Sequence, residues 1–214
     1  RKNYHERLHE ILDAAEQLFI QKGYENATIN DILDKVEIGK GTFYYYFRSK
    51  EEVMDAVVDR MVQSLVNAAK AIAGDGALSA PEKMKQIILS LNISGSPGEA
   101  MIEELHQPSN AKMHQNSIVS TVKAVSPVLA SVVEQGIQEG HYSTPYPQET
   151  IEILLAANQS IFDAGIFSWE PEELKTRAIA FVHVMELALG AQKGGFRFIL
   201  DVLAAGGEKR ASHD

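Results

Sequence analysis

The sequence predicts an all-α protein, with an N-terminal three-helix domain built around a helix-turn-helix and a larger helical domain after it. Two observations predict this. The period-2 alternation of a half-buried strand is scarce, whereas Ala, Leu, Glu, Lys and Gln, which lose little on entering a helix, are plentiful. Apolar residues also recur every three to four positions between stops made of Gly, Pro, Ser and Asn. The chain has 214 residues, 45 % of them apolar, enough for one large domain or a small domain joined to a larger one.

The first helix is expected over residues 5–22, with Leu8, Ile11, Leu12, Ala15, Leu18 and Phe19 on one face. Gly23 is its expected left-handed stop, and Tyr24 can pack back on the last turn. Thr28-Ile29-Asn30-Asp31 reads as a capping box that opens a short helix burying Ile32, Leu33 and Val36. Glu37-Ile38-Gly39 makes a turn, and a third helix follows over about residues 40–46. Ser49 caps a fourth, which carries acids in its first turn and runs to about Ala73. Beyond Gly74-Asp75-Gly76, four to six longer helices are expected. Their breaks stand at 95–98, 107–110, 140–147, 169–171 and 194–195.

The composition narrows the chemistry. No cysteine is present, so there is no disulfide, thiol nucleophile or thiolate metal site. No Gly-rich phosphate loop, GxSxG or HExxH occurs, so the chain is not expected to be an enzyme or to hold a cofactor. His5 and His9 (i, i+4) and Glu103 and His106 (i, i+3) each offer two donors without a third, and neither pair is read as a metal site. No signal-like or membrane-spanning run is evident, so the expected location is the cytoplasm, without membrane association. The formal charge is −9, and residues 1–60 carry 9 Lys+Arg against 12 Asp+Glu. Any contact with nucleic acid must therefore be a local stripe, sensitive to salt.

Such a stripe can be read on the third helix. Phe43 and Phe47 are four apart and share a face, which must be the buried one. Gly41, Thr42 and Tyr45 then face outward, flanked by Tyr44 and Tyr46. Runs of aromatics are often core, but three consecutive tyrosines sweep about 200° of a helix, so at least one is exposed. Gly41 leaves room for close approach, Thr42 offers a hydroxyl and a methyl, and the tyrosines are rigid plates bearing hydroxyls. Lys40 and Lys50 add positive charge. Two short helices joined by a tight turn, with the second presenting this face, fit a duplex-reading unit.

The stretch Thr28-Ile29-Asn30-Asp31-Ile32 and then Gly39-Lys40-Gly41-Thr42-Phe43-Tyr44-Tyr45-Tyr46-Phe47-Arg48-Ser49-Lys50-Glu51-Glu52-Val53 resembles the N-terminal signature of the tetracycline-repressor (TetR) family. The resemblance covers about residues 5–60. It departs at Glu37, where the family commonly has Gly, and at Gly39, where it commonly has Ser or Thr. It implies a transcription repressor that binds a palindromic operator in double-stranded DNA as a homodimer and is released by a small-molecule effector. The alternative is a helix-turn-helix regulator without an effector. By resemblance, Thr28 and Asn30 start the first motif helix against the duplex. Lys40, Gly41, Thr42 and Tyr45 face the groove, Tyr44 and Tyr46 flank it, and Lys50 binds phosphate.

The implied domains are 1–52 for DNA binding (motif about 28–47), 53–206 for effector binding and dimerisation, and 207–214 as a tail. Effector candidates are Met101, Glu103, His106, Met113, His114, Asn158, Phe162 and Asp163, with Phe167 on the apolar wall. The dimer helices correspond to about 147–167 and 171–190. Their expected contacts are Ile151, Leu154, Leu155, Ile161, Leu174, Ala178, Phe181, Val182 and Met185.

Overall fold

The structure, a computed structural model, describes residues 3–91, 98–163 and 165–202, and contains helices and no strand among them. The breaks expected at 95–97 and the tail at 207–214 lie outside the described residues. The helices among the described residues include α1 (Tyr4–Lys22), α2 (Ile29–Val36), α3 (Lys40–Tyr46), α4 (Lys50–Ala73), α5 (Ala80–Ser90), α6 (Glu99–Leu105), α7 (Ala111–Gln138), α8 (Pro147–Ile161) and α9 (Pro171–Leu189), and residues 198–202 are helical as well. A single 3-10 turn, Pro108–Asn110, joins α6 to α7.

The chain divides into two compact units, Arg1–Val62 with Gly95–Ser120, and Gln63–Ser94 with Thr121–Asp214. The division therefore differs from a cut at residue 52. The first unit extends along α4 and takes in α6 and the start of α7, so α4 and α7 each contribute residues to both units.

In the first unit, Ile11, Leu12, Ala15, Leu18 and Phe19 of α1 are buried, as their spacing requires. Gly23 ends α1 at φ +80° and ψ +148°, a conformation suited to glycine but not the left-handed helical one expected. Tyr24 turns back so that its ring meets Phe19 edge-on at 5.2 Å. The capping box of α2 forms: the Asp31 amide donates to Thr28 Oγ1 at 3.1 Å, and the Thr28 amide donates to Asp31 Oδ2 at 2.8 Å. Glu37 ends α2 in the left-handed region at φ +56° and ψ +50°, the one non-glycine residue with positive φ among those described. At the start of α4 the Glu52 amide donates to Ser49 Oγ at 3.2 Å, and Glu52 Oε2 accepts the Arg48 amide at 2.7 Å. Arg60 of α4 holds α1 through Asp13 at 2.6 Å and Glu16 at 2.5 Å.

In the second unit, the core includes Val125, Val128, Leu129, Val132 and Val133 of α7 with Ile151 and Leu154 of α8 and Val182, Met185 and Leu189 of α9. By length and composition, Pro108–Gln138 is apolar enough to cross a membrane, which the sequence reading had not found. Of its most apolar stretch, 44 % is buried inside the protein. Lys83 is buried yet satisfied, donating to Ala73 O at 2.7 Å and Gln135 Oε1 at 2.8 Å. The helix expected to reach residue 167 stops at Ile161, because Trp169 Nε1 donates to the Ile161 carbonyl at 2.8 Å and Asp163 Oδ1 accepts the Gly165 amide at 2.7 Å. Gly190 ends α9 in the left-handed region, and a Cβ there would meet the Ser143 backbone oxygen at 2.5 Å.

Candidate DNA-binding interface

The interface is built on α3, a seven-residue helix anchored by two rings. Phe43 and Phe47 are buried, with ring centroids 6.1 Å apart. That anchoring fixes the rotation of α3 and turns Lys40, Gly41, Thr42, Tyr44 and Tyr45 to solvent. Tyr45 is 74 % exposed, the most exposed of the three tyrosines. Tyr46 is half-buried and stacks on Tyr4 at 4.8 Å, with Tyr45 edge-on to Tyr46 at 5.2 Å. The first turn of α1 thus stiffens one flank of the tyrosine run.

Gly41 needs an explanation of its own. It lies inside a helix, where glycine costs roughly 0.5–1 kcal/mol relative to alanine. A Cβ built on it meets nothing within 4 Å. No contact among the described residues demands a glycine there.

At the start of α2, Thr28 and Asn30 are exposed, as expected. The Thr28 hydroxyl and amide are both engaged with Asp31 Oδ2, each at 2.8 Å. Asp31 is held down to about 2 by hydrogen bonds from Lys22, at 2.7 Å, and from Thr28. It therefore remains charged, and the cap stays intact through neutral pH.

Lys50, the residue expected at phosphate, is half-buried. Its ammonium is turned inward, donating to the carbonyls of Tyr24 at 2.6 Å and Ala27 at 2.9 Å, with Glu25 at 3.3 Å. It also lies 4.3 Å from the centroid of the Tyr24 ring. The loop between α1 and α2 presents three carbonyl oxygens to one point, and the cation fills it. Sequence spacing cannot show this, because the partners lie 23 to 26 residues away.

Glu104, which the sequence reading passed over for Glu103, braces the same loop. Its Oε1 accepts the Tyr24 amide at 2.6 Å and Asn110 Nδ2 at 3.1 Å. The signal was present in the helical phase. Glu104 shares a face with the buried Met101 and Leu105, whereas Glu103 lies about 200° from Met101 and is exposed.

This arrangement, two short helices with the first capped by Thr28 and the second anchored by paired phenylalanines, is a helix-turn-helix. Residues 11–57 match the family model described as bacterial regulatory proteins, tetR family, and residues 95–184 match that of the tetracyclin repressor-like C-terminal domain. The chain belongs to the TetR family of transcriptional regulators. An HTH-type transcriptional regulator from the lacX 3' region of Lactococcus lactis subsp. lactis is 57 % identical over 53 residues, 25 % of this chain and 27 % of that protein. The fatty acid metabolism regulator protein of Bacillus subtilis (strain 168) is 25 % identical over 186 residues, 83 % of this chain and 91 % of that one. The solved structure of SmeT, the repressor of the Stenotrophomonas maltophilia multidrug efflux pump SmeDEF, has the same fold, with a TM-score of 0.60 at 19 % identity over 88 % of this chain and 92 % of that one.

In this TetR-family chain the expected effector residues divide between the units. In the first, Met101 is buried, Glu103 is exposed, and Met113 is half-buried, while the half-buried His106 and His114 bring their ring centroids to 4.7 Å. In the second, Asp163 is buried and organises its turn, Phe162 meets the Phe181 ring edge-on at 5.5 Å, and Asn158 and Phe167 are exposed. Phe167 stacks on Trp169 at 5.1 Å.

Most of the expected dimer residues lie inside the chain. Ile151, Leu154, Ala178, Val182 and Met185 are buried within the chain's own core, and Leu155, Ile161 and Phe181 are half-buried. Of the nine, only Leu174 is exposed. The opposite faces of α8 and α9 carry Ile153, Ile179, Val184 and Leu187, and Ile153 and Leu187 are each 69 % exposed. Both helices are apolar on two sides, and periodicity does not say which side the subunit fills by itself.

Proposed function

We propose that this regulator is a repressor that binds a palindromic operator as a homodimer, lays α3 in the major groove, and is released by an effector bound in the helical part. The observation that carries the DNA reading is the outward face of α3: Gly41 with open space above it, Thr42, and a Tyr45 ring left in water. Gly41 and Thr42 admit base edges, and Tyr44, Tyr45 and Lys40 reach the groove walls. Thr28 and Asn30, at the N-terminus of α2, meet the duplex through their exposed side chains. Lys50 shapes the α1–α2 loop instead of contacting phosphate.

Two copies are needed because one recognition helix reads only a half-site, and paired half-sites lie about 34–36 Å apart. Ile153, Ile179, Val184 and Leu187 support the pairing face. They are large, apolar, solvent-facing, and carried by two helices that pack on each other. Release requires an effector with different affinity for the two states, typically worth about 1–3 kcal/mol of coupling. The repressor SmeT and the fatty acid metabolism regulator are compatible precedents for a repressing role and for control of metabolism, respectively.

The test is to select DNA from a random library with the protein and measure affinity by fluorescence anisotropy. Thr42→Ala and Tyr45→Ala should each lose preference for the selected site over scrambled DNA by at least tenfold, with helicity unchanged. Undiminished preference in both would show that α3 does not read the duplex.

A further inference from the structure

The fold brings together two imidazoles that sequence spacing does not pair. His106 ends α6, and His114 stands in the first turn of α7. The 3-10 turn Pro108–Asn110 reverses the chain between them. Their ring planes are inclined at 57°, with a nitrogen of one within 4.8 Å of a nitrogen of the other. Two imidazoles on one tetrahedral Zn2+, with bonds near 2.0–2.1 Å, stand about 3.3 Å apart. Small rotations about the side-chain bonds close that difference. Both rings are half-buried, so water and an ion can reach them.

A second observation lies in the same segment. Asn110 is completely buried, its Nδ2 donates to Glu104 O at 2.7 Å, and its Oδ1 has no hydrogen-bond partner. A buried acceptor left unsatisfied costs about 1–3 kcal/mol. A cation or its bound water in this segment would answer it.

We propose that His106 and His114 form a two-imidazole seat for a borderline divalent ion such as Zn2+ or Ni2+, completed by water. Imidazole nitrogen suits these ions, and the chain offers no thiolate to compete for them. A bridge between the two rings clamps the end of α6 to the start of α7. Between them lies Asn110 and, just before, Glu104, which Asn110 holds and which braces the Tyr24 loop between α1 and α2. The ion is therefore an effector for the DNA-binding head, a claim that rests on the effector reading above.

The experiment uses tag-free full chain carrying His5→Ala and His9→Ala, because those two imidazoles are one helical turn apart and can chelate an ion themselves. Calorimetric titration with Zn2+ alone, without DNA, should show one equivalent bound. His106→Ala or His114→Ala should weaken it at least tenfold, and the double variant should abolish it. His183→Ala, on the exposed side of α9, should change nothing. His114→Gln replaces the alanine variant if that one loses helicity. Absence of binding in the parent, or equal affinity in the double variant, overturns the seat. Zn2+ should also shift affinity for the selected DNA at least fivefold in the parent and not in the double variant. Zn2+ binding without that shift keeps the seat and overturns its regulatory role. Loss of DNA selectivity without any metal would instead count against the operator reading.

Discussion

The ammonium of Lys50 sits 2.6 Å from the carbonyl oxygen of Tyr24 and 4.3 Å from the centroid of its ring, so one side chain fastens the start of α4 to the loop that enters α2. Two further carbonyls, of Glu25 and Ala27, complete the cradle. Hydrogen bonds to a charged group contribute about 1.5–3 kcal/mol each when buried, less when partly exposed as here. Lys50→Met should therefore lower stability by about 1–3 kcal/mol in urea unfolding. It should leave the slope of log affinity against log salt unchanged. A slope reduced by about 1 would mean that Lys50 touches phosphate after all.

Gly41 sets stability against binding. Gly41→Ala should raise stability by about 0.5–1 kcal/mol, because the helix interior favours alanine and no atom blocks the new methyl. The same methyl should cost at least tenfold in affinity for selected DNA. A variant that is more stable and binds equally well would show that nothing approaches Gly41 closely.

Glu37 carries the strain of a turn where glycine would sit without it. Its φ of +56° costs a side-chain-bearing residue about 1–2 kcal/mol. Glycine relieves that cost but adds about 0.4–1 kcal/mol of unfolded-state entropy. Glu37→Gly should therefore stabilise the protein by about 0.5–1 kcal/mol. Thermal denaturation is the check, and an unchanged or lower Tm would place the strain elsewhere.

The outer faces of α8 and α9 separate association from folding. Leu187→Glu with Ile153→Glu should yield a folded monomer by analytical ultracentrifugation, because a charge on that face is harmless in water and costly in a contact. Val182→Ala, on the buried face, should cost about 1–3 kcal/mol of stability through the cavity it opens. If the double variant pairs as the parent does, another surface joins the copies.

Asp31 gives the acid side of the stability profile a definite sign. Its ordinary value of 3.8 is lowered to about 2 in the folded chain, chiefly by Lys22 and Thr28. Its contribution is fully present above 3.8 and is lost as pH falls from there through about 2. Asp31→Asn should flatten the stability profile in that interval, as read by helicity at fixed urea. An unchanged profile would assign the acid sensitivity to other carboxylates.

The sequence by itself determined the local elements. Helix spacing, the Thr28 and Ser49 caps and the phenylalanine pair are short-range facts, and they placed α1 to α4 and the outward turn of Gly41, Thr42 and Tyr45. Tertiary structure decided whatever depends on distant partners. The three carbonyls around Lys50 come from a loop more than 20 residues earlier, and Glu104 reaches back 80 residues to the Tyr24 amide. His106 and His114 meet only because a 3-10 turn reverses the chain between them. On α8 and α9 periodicity found apolar faces without choosing between them, because burial against the chain's own core and burial against a second copy demand the same residue types.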